Sequence, residues 1–276
     1  MATSCFTAGA SEGGLSTLTA GPVLVFDSGV GGLSVVGALR RRLPDASLAY
    51  ACDNAMMPYG RRKDDWLIPR ILAVCEEAVA ASECSALVLA CNTASTLALA
   101  PLRARLRVPV IGTVPAIKPA ARLSQSRHIG LLATSATVSR PYTLQLIRDF
   151  AADCRVTRVA ADALVVQAER WLAGDPLDTT VIREALAPLW VDPDLDVVVL
   201  GCTHFPLLKD ALVEVSPSGV RWVDSGEAIA RRVAEVVPDA TCGRGPGASY
   251  VTALDARMTS SLATYGFAEP QGLTID

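Results

Sequence analysis

Short apolar runs alternate with helical patterns along this chain from Val23 onward, and this alternation limits the fold more than any other feature. It is typical of βαβ units that build a parallel sheet. We expect a kink or a separate first turn at Pro69, inside the helix predicted over Asp64–Ser82. Another helix is predicted over 227–237. The predicted strands are residues 23–26, 47–51, 86–90, 108–111, 128–133, 155–160, 196–201 and 219–223, with 250–253 as a final edge strand.

Composition narrows the class of protein. Apolar residues make up 51% of the 276 residues and charged residues 19%, which excludes a disordered chain. No apolar run approaches the roughly 18 residues of a membrane span, so we expect no membrane partner. The net charge of −3 argues against a protein that binds nucleic acid.

The cysteine content and the N-terminal segment together predict the cellular location of the protein. Eight cysteines are about 3% of the chain, below the roughly 8–10% of a disulfide scaffold. Residues 1–21 contain neither a basic region nor an apolar stretch of the kind found in signal peptides. We therefore predict a flexible N-terminal extension over 1–21, free thiols and a cytoplasmic location.

The sequence contains an internal repeat, in which similar strands recur at a nearly constant separation. Cys91 and Cys202, 111 residues apart, each follow an apolar strand, and the strand that ends at Phe26 has a counterpart that ends at Ala133. We predict two similar doubly wound α/β domains that face each other across a central cleft. The first comprises 22–113 plus 227–276 and the second 114–226. Ligands in such sheets bind beyond the carboxyl ends of the strands, so one cleft would hold the site.

The two strand-end cysteines are the strongest chemical signal. Cys91 precedes Asn92-Thr93 and Cys202 precedes Thr203-His204, so each thiol has polar neighbours suited to holding a carboxylate. A zinc site that includes Cys202 and His204 is the alternative, but no Cys-x-x-Cys or His-x-x-x-His spacing completes it, and we predict no metal. The other cysteines lack this context and are interpreted as small apolar residues: Cys5, Cys52, Cys75, Cys84, Cys154 and Cys242.

A glycine-rich turn follows the first strand, and it invites a dinucleotide interpretation. Asp53, near the end of the second strand, even resembles a ribose-binding acid. However, Ser34 occupies the third glycine position, and Asp27 would repel a pyrophosphate at the same helix start. A carboxylate there suits an ammonium group or proton transfer better.

Together these motifs resemble the glutamate racemases, over about residues 22–238. The resemblance rests on the runs Val25-Phe26-Asp27-Ser28-Gly29-Val30-Gly31-Gly32-Leu33-Ser34, Met57-Pro58-Tyr59-Gly60, Cys91-Asn92-Thr93-Ala94, Thr134-Ser135-Ala136-Thr137 and Gly201-Cys202-Thr203-His204-Phe205-Pro206-Leu207-Leu208. It implies catalytic roles for Cys91, Cys202, Asp27, His204 and Glu169. It implies substrate contacts for Asp27, Ser28, Pro58, Tyr59, Gly60, Asn92, Thr93, Thr134, Thr137, Thr203 and His204.

The resemblance also implies a mechanism. Racemisation removes the α-proton from one face and returns a proton to the other, so two bases must flank the α-carbon. Cys202 would take the proton from L-glutamate and Cys91 from D-glutamate, without a cofactor, to supply D-glutamate for peptidoglycan. His204 would move protons beside Cys202, and a purely structural His204 is the alternative. His128 is interpreted as structural.

Other classes of protein remain as alternatives to this interpretation. They are an aspartate racemase of the same superfamily and a non-catalytic amino-acid-binding protein. A single-cysteine decarboxylase would need only one of the two thiols, and a nicotinamide dehydrogenase is disfavoured by the broken glycine pattern. We predict a small-molecule partner, glutamate, and leave a homodimer open.

Overall fold

The computed structural model describes residues 21–238, 243 and 245–275, and within them all paired strands run parallel. The strands are β1 (Val23–Asp27), β2 (Leu48–Cys52), β3 (Ala86–Leu89), β4 (Val110–Gly112), β5 (His128–Ala133), β6 (Arg155–Ala160), β7 (Val197–Leu200), β8 (Arg221–Val223), β9 (Ser249–Val251) and β10 (Gln271–Gly272).

Helices connect these strands, as parallel pairing requires. They are α1 (Leu33–Arg42), α2 (Asp64–Ser82), α3 (Asn92–Arg105), α4 (Ile117–Leu123), α5 (Ser135–Ser139), α6 (Pro141–Phe150), α7 (Asp162–Leu172), α8 (Thr179–Leu186), α9 (Lys209–Glu214), α10 (Gly226–Val236) and α11 (Ala256–Thr264). Short 3₁₀ turns lie at Asn54–Met56, Tyr59–Arg61, Ala187–Leu189 and Phe205–Leu208.

The described strands form two sheets with a shared topology. The first has the order β10-β9-β2-β1-β3-β4 and the second β6-β5-β7-β8. The segment β2-β1-β3-β4 of the first sheet repeats as β6-β5-β7-β8 in the second, strand for strand in chain order. The prediction of two similar α/β halves is confirmed, while the predicted domain boundaries stay a prediction.

Both faces of each sheet are covered, which explains the continuous apolar runs in the sequence. On β1, Val23 and Val25 pack against α1 and α10, whereas Leu24 and Phe26 pack against α2 and α3. The second sheet has one apolar cluster on each side in the same way. Because the paired strands of each sheet run parallel, their carboxyl ends lie at a common edge.

Several sequence expectations differ from the structure at the ends of elements. Pro69 lies inside one uninterrupted helix, α2, so the separate first turn is not formed. Neither α11 nor β10 was predicted. Strand β10 carries no apolar signal because its two residues, Gln271 and Gly272, are exposed. Residues 1–20, which include Cys5, and Cys242 lie outside the described residues.

No helix in the described part of the chain is both long enough and apolar enough to cross a membrane.

The buried strands predict a contrast between two leucines. Leu87 on β3 is fully buried, whereas Leu254 is 72% exposed. Leu87→Ala should lower the free energy of unfolding in urea by about 2–5 kcal/mol because it removes buried contacts and leaves a cavity. Leu254→Ala is the matched control and should change it by less than about 0.5 kcal/mol. Equal losses in the two variants would contradict this placement of the core.

Candidate active site

One cavity of about 350 Å³, including the part open to solvent, lies at the carboxyl ends of strands from both sheets. Cys91 and Cys202 line it, together with every residue that the sequence predicted to contact a substrate. Val165 of α7 also lines it and was not predicted, since nothing distinguishes it from other apolar residues of its helix. The predicted contacts are Asp27, Ser28, Pro58, Tyr59, Gly60, Asn92, Thr93, Thr134, Thr137, Thr203 and His204.

Cys91 lies between β3 and the start of α3. Its side chain is buried, and Ser28 Oγ lies 3.9 Å from its Sγ. Burial raises the pKa of the Cys91 thiol to about 12, and the nearby Asp27 carboxylate acts in the same direction. Cys91 is therefore a thiol at neutral pH in the absence of ligand.

Cys202 has a different surrounding, formed by His204 and Glu169. His204 Nδ1 lies 3.7 Å from Cys202 Sγ, and His204 Nε2 lies 2.7 Å from Glu169 Oε1. Burial disfavours the imidazolium, but the hydrogen bonds to Cys202 and Glu169 outweigh it and hold the pKa of His204 well above its ordinary value. The imidazole of His204 thus connects Cys202 Sγ to the Glu169 side chain.

Glu169 lies behind His204 rather than in the cavity lining. It extends from α7, and its Oε1 also accepts a hydrogen bond of 2.9 Å from Val30 N. The two halves are therefore tied together at this carboxylate.

Asp27 ends β1 with a fully buried carboxylate. Its Oδ2 accepts a 2.8 Å hydrogen bond from Thr203 Oγ1, and its Oδ1 accepts from the backbone N–H groups of Ser28 and Gly29. Burial raises the pKa of Asp27, while the charge of His204 and the bond from Thr203 act in the opposite direction. The acidic side chain that argued against a pyrophosphate faces the second half of the protein.

The glycines of the turn after β1 are required by close packing rather than by a phosphate. A Cβ atom at Gly31 would lie 2.5 Å from His204 Nδ1, and one at Gly29 would overlap the Glu169 carboxylate. Tyr50 donates its hydroxyl to Gly29 O at 2.6 Å and so holds this turn. The glycine pattern therefore makes room for the His204–Glu169 pair.

Asn92 and Ser34 add further bonds across the cavity. Asn92 Nδ2 donates to Gly201 O at 3.0 Å, while the buried Asn92 Oδ1 has no hydrogen-bond partner among the described residues. Ser34 Oγ donates to Thr203 O at 2.8 Å. The loop that carries Cys202 is thus bonded to the loop that carries Cys91 and to the start of α1.

A metal site is the remaining alternative for Cys202 and His204. Within the described ranges, no three His, Cys, Asp or Glu side chains are grouped so that they could hold a metal ion. Both ring nitrogens of His204 already face protein partners.

The electrostatics of His204 can be measured directly, because the chain contains only two histidines. In an NMR titration, His204 should keep its proton through the neutral range. Glu169→Gln retains the side-chain shape but removes the charge, so the pKa of His204 should fall as burial dominates. His128, whose pKa is lowered by burial and by Arg155, serves as an internal control and should not move. An unchanged pKa of His204 in this variant would rule out the proposed pairing.

Comparison with known proteins agrees with this arrangement. Residues 34–233 match the Asp/Glu/Hydantoin racemase family. The chain is 51% identical to a glutamate racemase of Shewanella sp. (strain MR-7) over 77% of this chain and 78% of that protein. It is 46% identical to the glutamate racemase of Shewanella loihica (strain ATCC BAA-1088 / PV-4) over 89% and 93%.

A solved structure extends the similarity to the fold. Escherichia coli glutamate racemase, in complex with L-glutamate and the activator UDP-MurNAc-Ala, is 39% identical. It matches with a TM-score of 0.87 over 92% of this chain and 98% of that one. The resemblance seen in the sequence is confirmed, as is the prediction of an isomerase. The chain belongs to the Asp/Glu/Hydantoin racemase family.

Proposed function

We propose that this racemase interconverts L-glutamate and D-glutamate, with Cys91 and Cys202 as the two bases. The observation that carries the proposal is the pair of buried thiols, one from each sheet, in one cavity. A proton removed from one face of an α-carbon must be replaced on the other face, so two acid–base groups on separate elements suit the reaction.

The different surroundings of the thiols support a division of roles. With its raised pKa, Cys91 holds a proton that it can donate. Cys202 lies beside His204, whose raised pKa and 3.7 Å contact with the sulfur place the imidazole to exchange a proton with it. In this proposal Cys202 takes the α-proton of L-glutamate while Cys91 delivers a proton to the opposite face.

His204, Glu169 and Asp27 support the proton transfers in this proposal. His204 and Glu169 form a hydrogen-bonded path from Cys202 to the edge of a second, larger cavity of about 540 Å³. The buried Asp27, with its raised pKa, lies in the cavity beside Cys91 and would bind the substrate ammonium or assist Cys91.

The substrate carboxylates need donors, which the cavity supplies. Helix α3 begins at Asn92, so its first N–H groups have no carbonyl partner within the helix. Together with Thr93 and Thr203 they would bind the α-carboxylate and stabilise the carbanion, at about 3 kcal/mol per preorganised donor. The part of the cavity lined by Tyr59 and Gly60 would bind the side-chain carboxylate of glutamate. No cofactor is needed in this scheme.

The proposal extends to the role of the product and its location. The E. coli relative was solved with L-glutamate bound, which favours glutamate over aspartate as substrate. We propose that the enzyme acts in the cytoplasm and supplies D-glutamate for peptidoglycan, and hence for the cell wall and cell shape.

The first test is a cofactor-free assay with chiral analysis of the product. L-glutamate alone should yield D-glutamate, and L-aspartate should react at least about ten-fold more slowly because its side chain lacks one methylene. Equal turnover of aspartate would contradict the substrate, and dependence on added pyridoxal phosphate would contradict cofactor-free chemistry.

A second test addresses the two bases. In deuterated water, the first D-glutamate formed should carry deuterium at the α-carbon while unreacted L-glutamate stays protiated, because the delivering thiol exchanges its proton with solvent. Cys91→Ala and Cys202→Ala should each slow racemisation by at least about a hundred-fold. Cys75→Ala, which removes a buried thiol outside the cavity lining, is the matched control. Largely protiated early product would exclude the two-thiol mechanism.

A further inference from the structure

Asp53 directly follows β2, and its fully buried carboxylate collects hydrogen bonds from three separate parts of the chain. Arg70 of α2 donates from Nη2 to Oδ1 at 2.8 Å and from Nε to Oδ2 at 3.0 Å. Tyr59 donates its hydroxyl to Oδ2 at 2.9 Å, and Thr252, just after β9, donates its hydroxyl to Oδ1 at 2.7 Å. The carboxylate of the residue that resembled a ribose-binding acid is therefore bonded by donors of the protein itself.

Because the Asp53 carboxylate is buried, the positions of its hydrogen-bond donors are tightly constrained. A carboxylate removed from water is stable only when it is paired and its oxygens are hydrogen-bonded. Arg70 supplies the pairing in a two-pronged arrangement, which fixes direction as well as distance. The remaining positions around the carboxylate then determine where the hydroxyls of Tyr59 and Thr252 lie.

Tyr59 belongs to a stretch with little regular structure, residues 54–62, here called the wall segment. Its Pro58, Tyr59 and Gly60 line the cavity, yet its only helical structure is the two 3₁₀ turns Asn54–Met56 and Tyr59–Arg61. Such short turns hold a position poorly on their own. The wall segment therefore depends on tertiary contacts for its placement.

One partner of Asp53, Tyr59, belongs to the wall segment, and another, Thr252, contacts it. The Tyr59 side chain is buried, and burial together with the Asp53 carboxylate raises the pKa of its hydroxyl, so that the hydroxyl remains a donor to Asp53. Thr252 Oγ1 also accepts a hydrogen bond of 3.1 Å from Ala55 N. The carboxylate thus holds the wall segment near both ends while Asp53 stays outside the residues that line the cavity.

We propose that Asp53, with Arg70 and Thr252, is a positioning residue that sets the Tyr59-Gly60 wall against the side-chain carboxylate of the substrate. This inference rests on the proposed function, which places that carboxylate at the wall. Because the hydrogen bonds described for Cys91 and Cys202 involve Ser28 and His204 rather than Asp53, Arg70 or Thr252, loss of the cluster should weaken binding of the longer substrate and leave proton transfer intact.

Two variants test this: Thr252→Val removes one donor to Asp53 with little change of volume, and Arg70→Lys keeps the positive charge but removes the two-pronged hydrogen bond. In each, KM for L-glutamate should rise about ten-fold, as expected for a buried partner left unpaired, with kcat within about two-fold of the wild type. The preference for L-glutamate over L-aspartate should fall, because the shorter side chain of L-aspartate makes weaker contacts with the Tyr59-Gly60 wall. Glu76→Gln is the matched control, because it neutralises an exposed carboxylate of α2 paired with Arg105, and it should change neither constant.

Amide hydrogen exchange gives a second readout that needs no substrate. Exchange at Arg61 and Arg62, whose N–H groups bond to Pro58 O and Tyr59 O, should be faster in both variants and unchanged in Glu76→Gln. Unchanged KM and exchange, or a loss of kcat alone, would overturn the positioning role. A wild type without glutamate turnover would contradict the proposed function instead, and the exchange rates would still decide whether Asp53 positions the wall.

Discussion

The hydrogen bond from Thr203 Oγ1 to the buried Asp27 carboxylate joins the two sheets at the level of the thiols. Asp27 ends β1, and Thr203 follows β7, so this bond holds the carboxyl edges of the two sheets face to face. The bonds from Val30 N to Glu169 and from Asn92 to Gly201 O act at the same level. Through these contacts, Cys91 and Cys202 line one common cavity.

The contacts that close the cavity also make its two sides unequal. On one side Cys91 is buried near the Asp27 carboxylate, which favours the neutral thiol. On the other side Cys202 has the imidazole of His204 beside it, backed by Glu169. Exclusion of water lowers the local dielectric constant and so strengthens the electrostatic interactions on both sides of the cavity. An internal repeat has therefore produced matched cysteine positions with different polar neighbours.

Sequence patterns located most of the cavity lining but few of the contacts behind it. Cys91 and Cys202 stand out because reactive residues at strand ends interrupt apolar runs. Val165 carries no such signal, since an apolar residue on a helix faces either a core or a cavity with the same pattern. The likeness of Asp53 to a ribose-binding acid did not reveal its partners: an acid after the second strand fits a ribose site as well as an arginine partner, and the sequence does not show that Arg70 lies opposite.

By itself, the sequence determined the α/β class, the parallel pairing and the repeat of the two halves, because these follow from local periodicity and from motifs at strand ends. Only the tertiary structure decided which polar groups meet, such as Asp27 with Thr203 and Asp53 with Arg70. Such contacts join residues far apart in the chain, and the energy of a charge depends on its distance from its partner and on its exclusion from water. Neither quantity is encoded in local periodicity, so the raised pKa of the Cys91 thiol arises only in the folded protein.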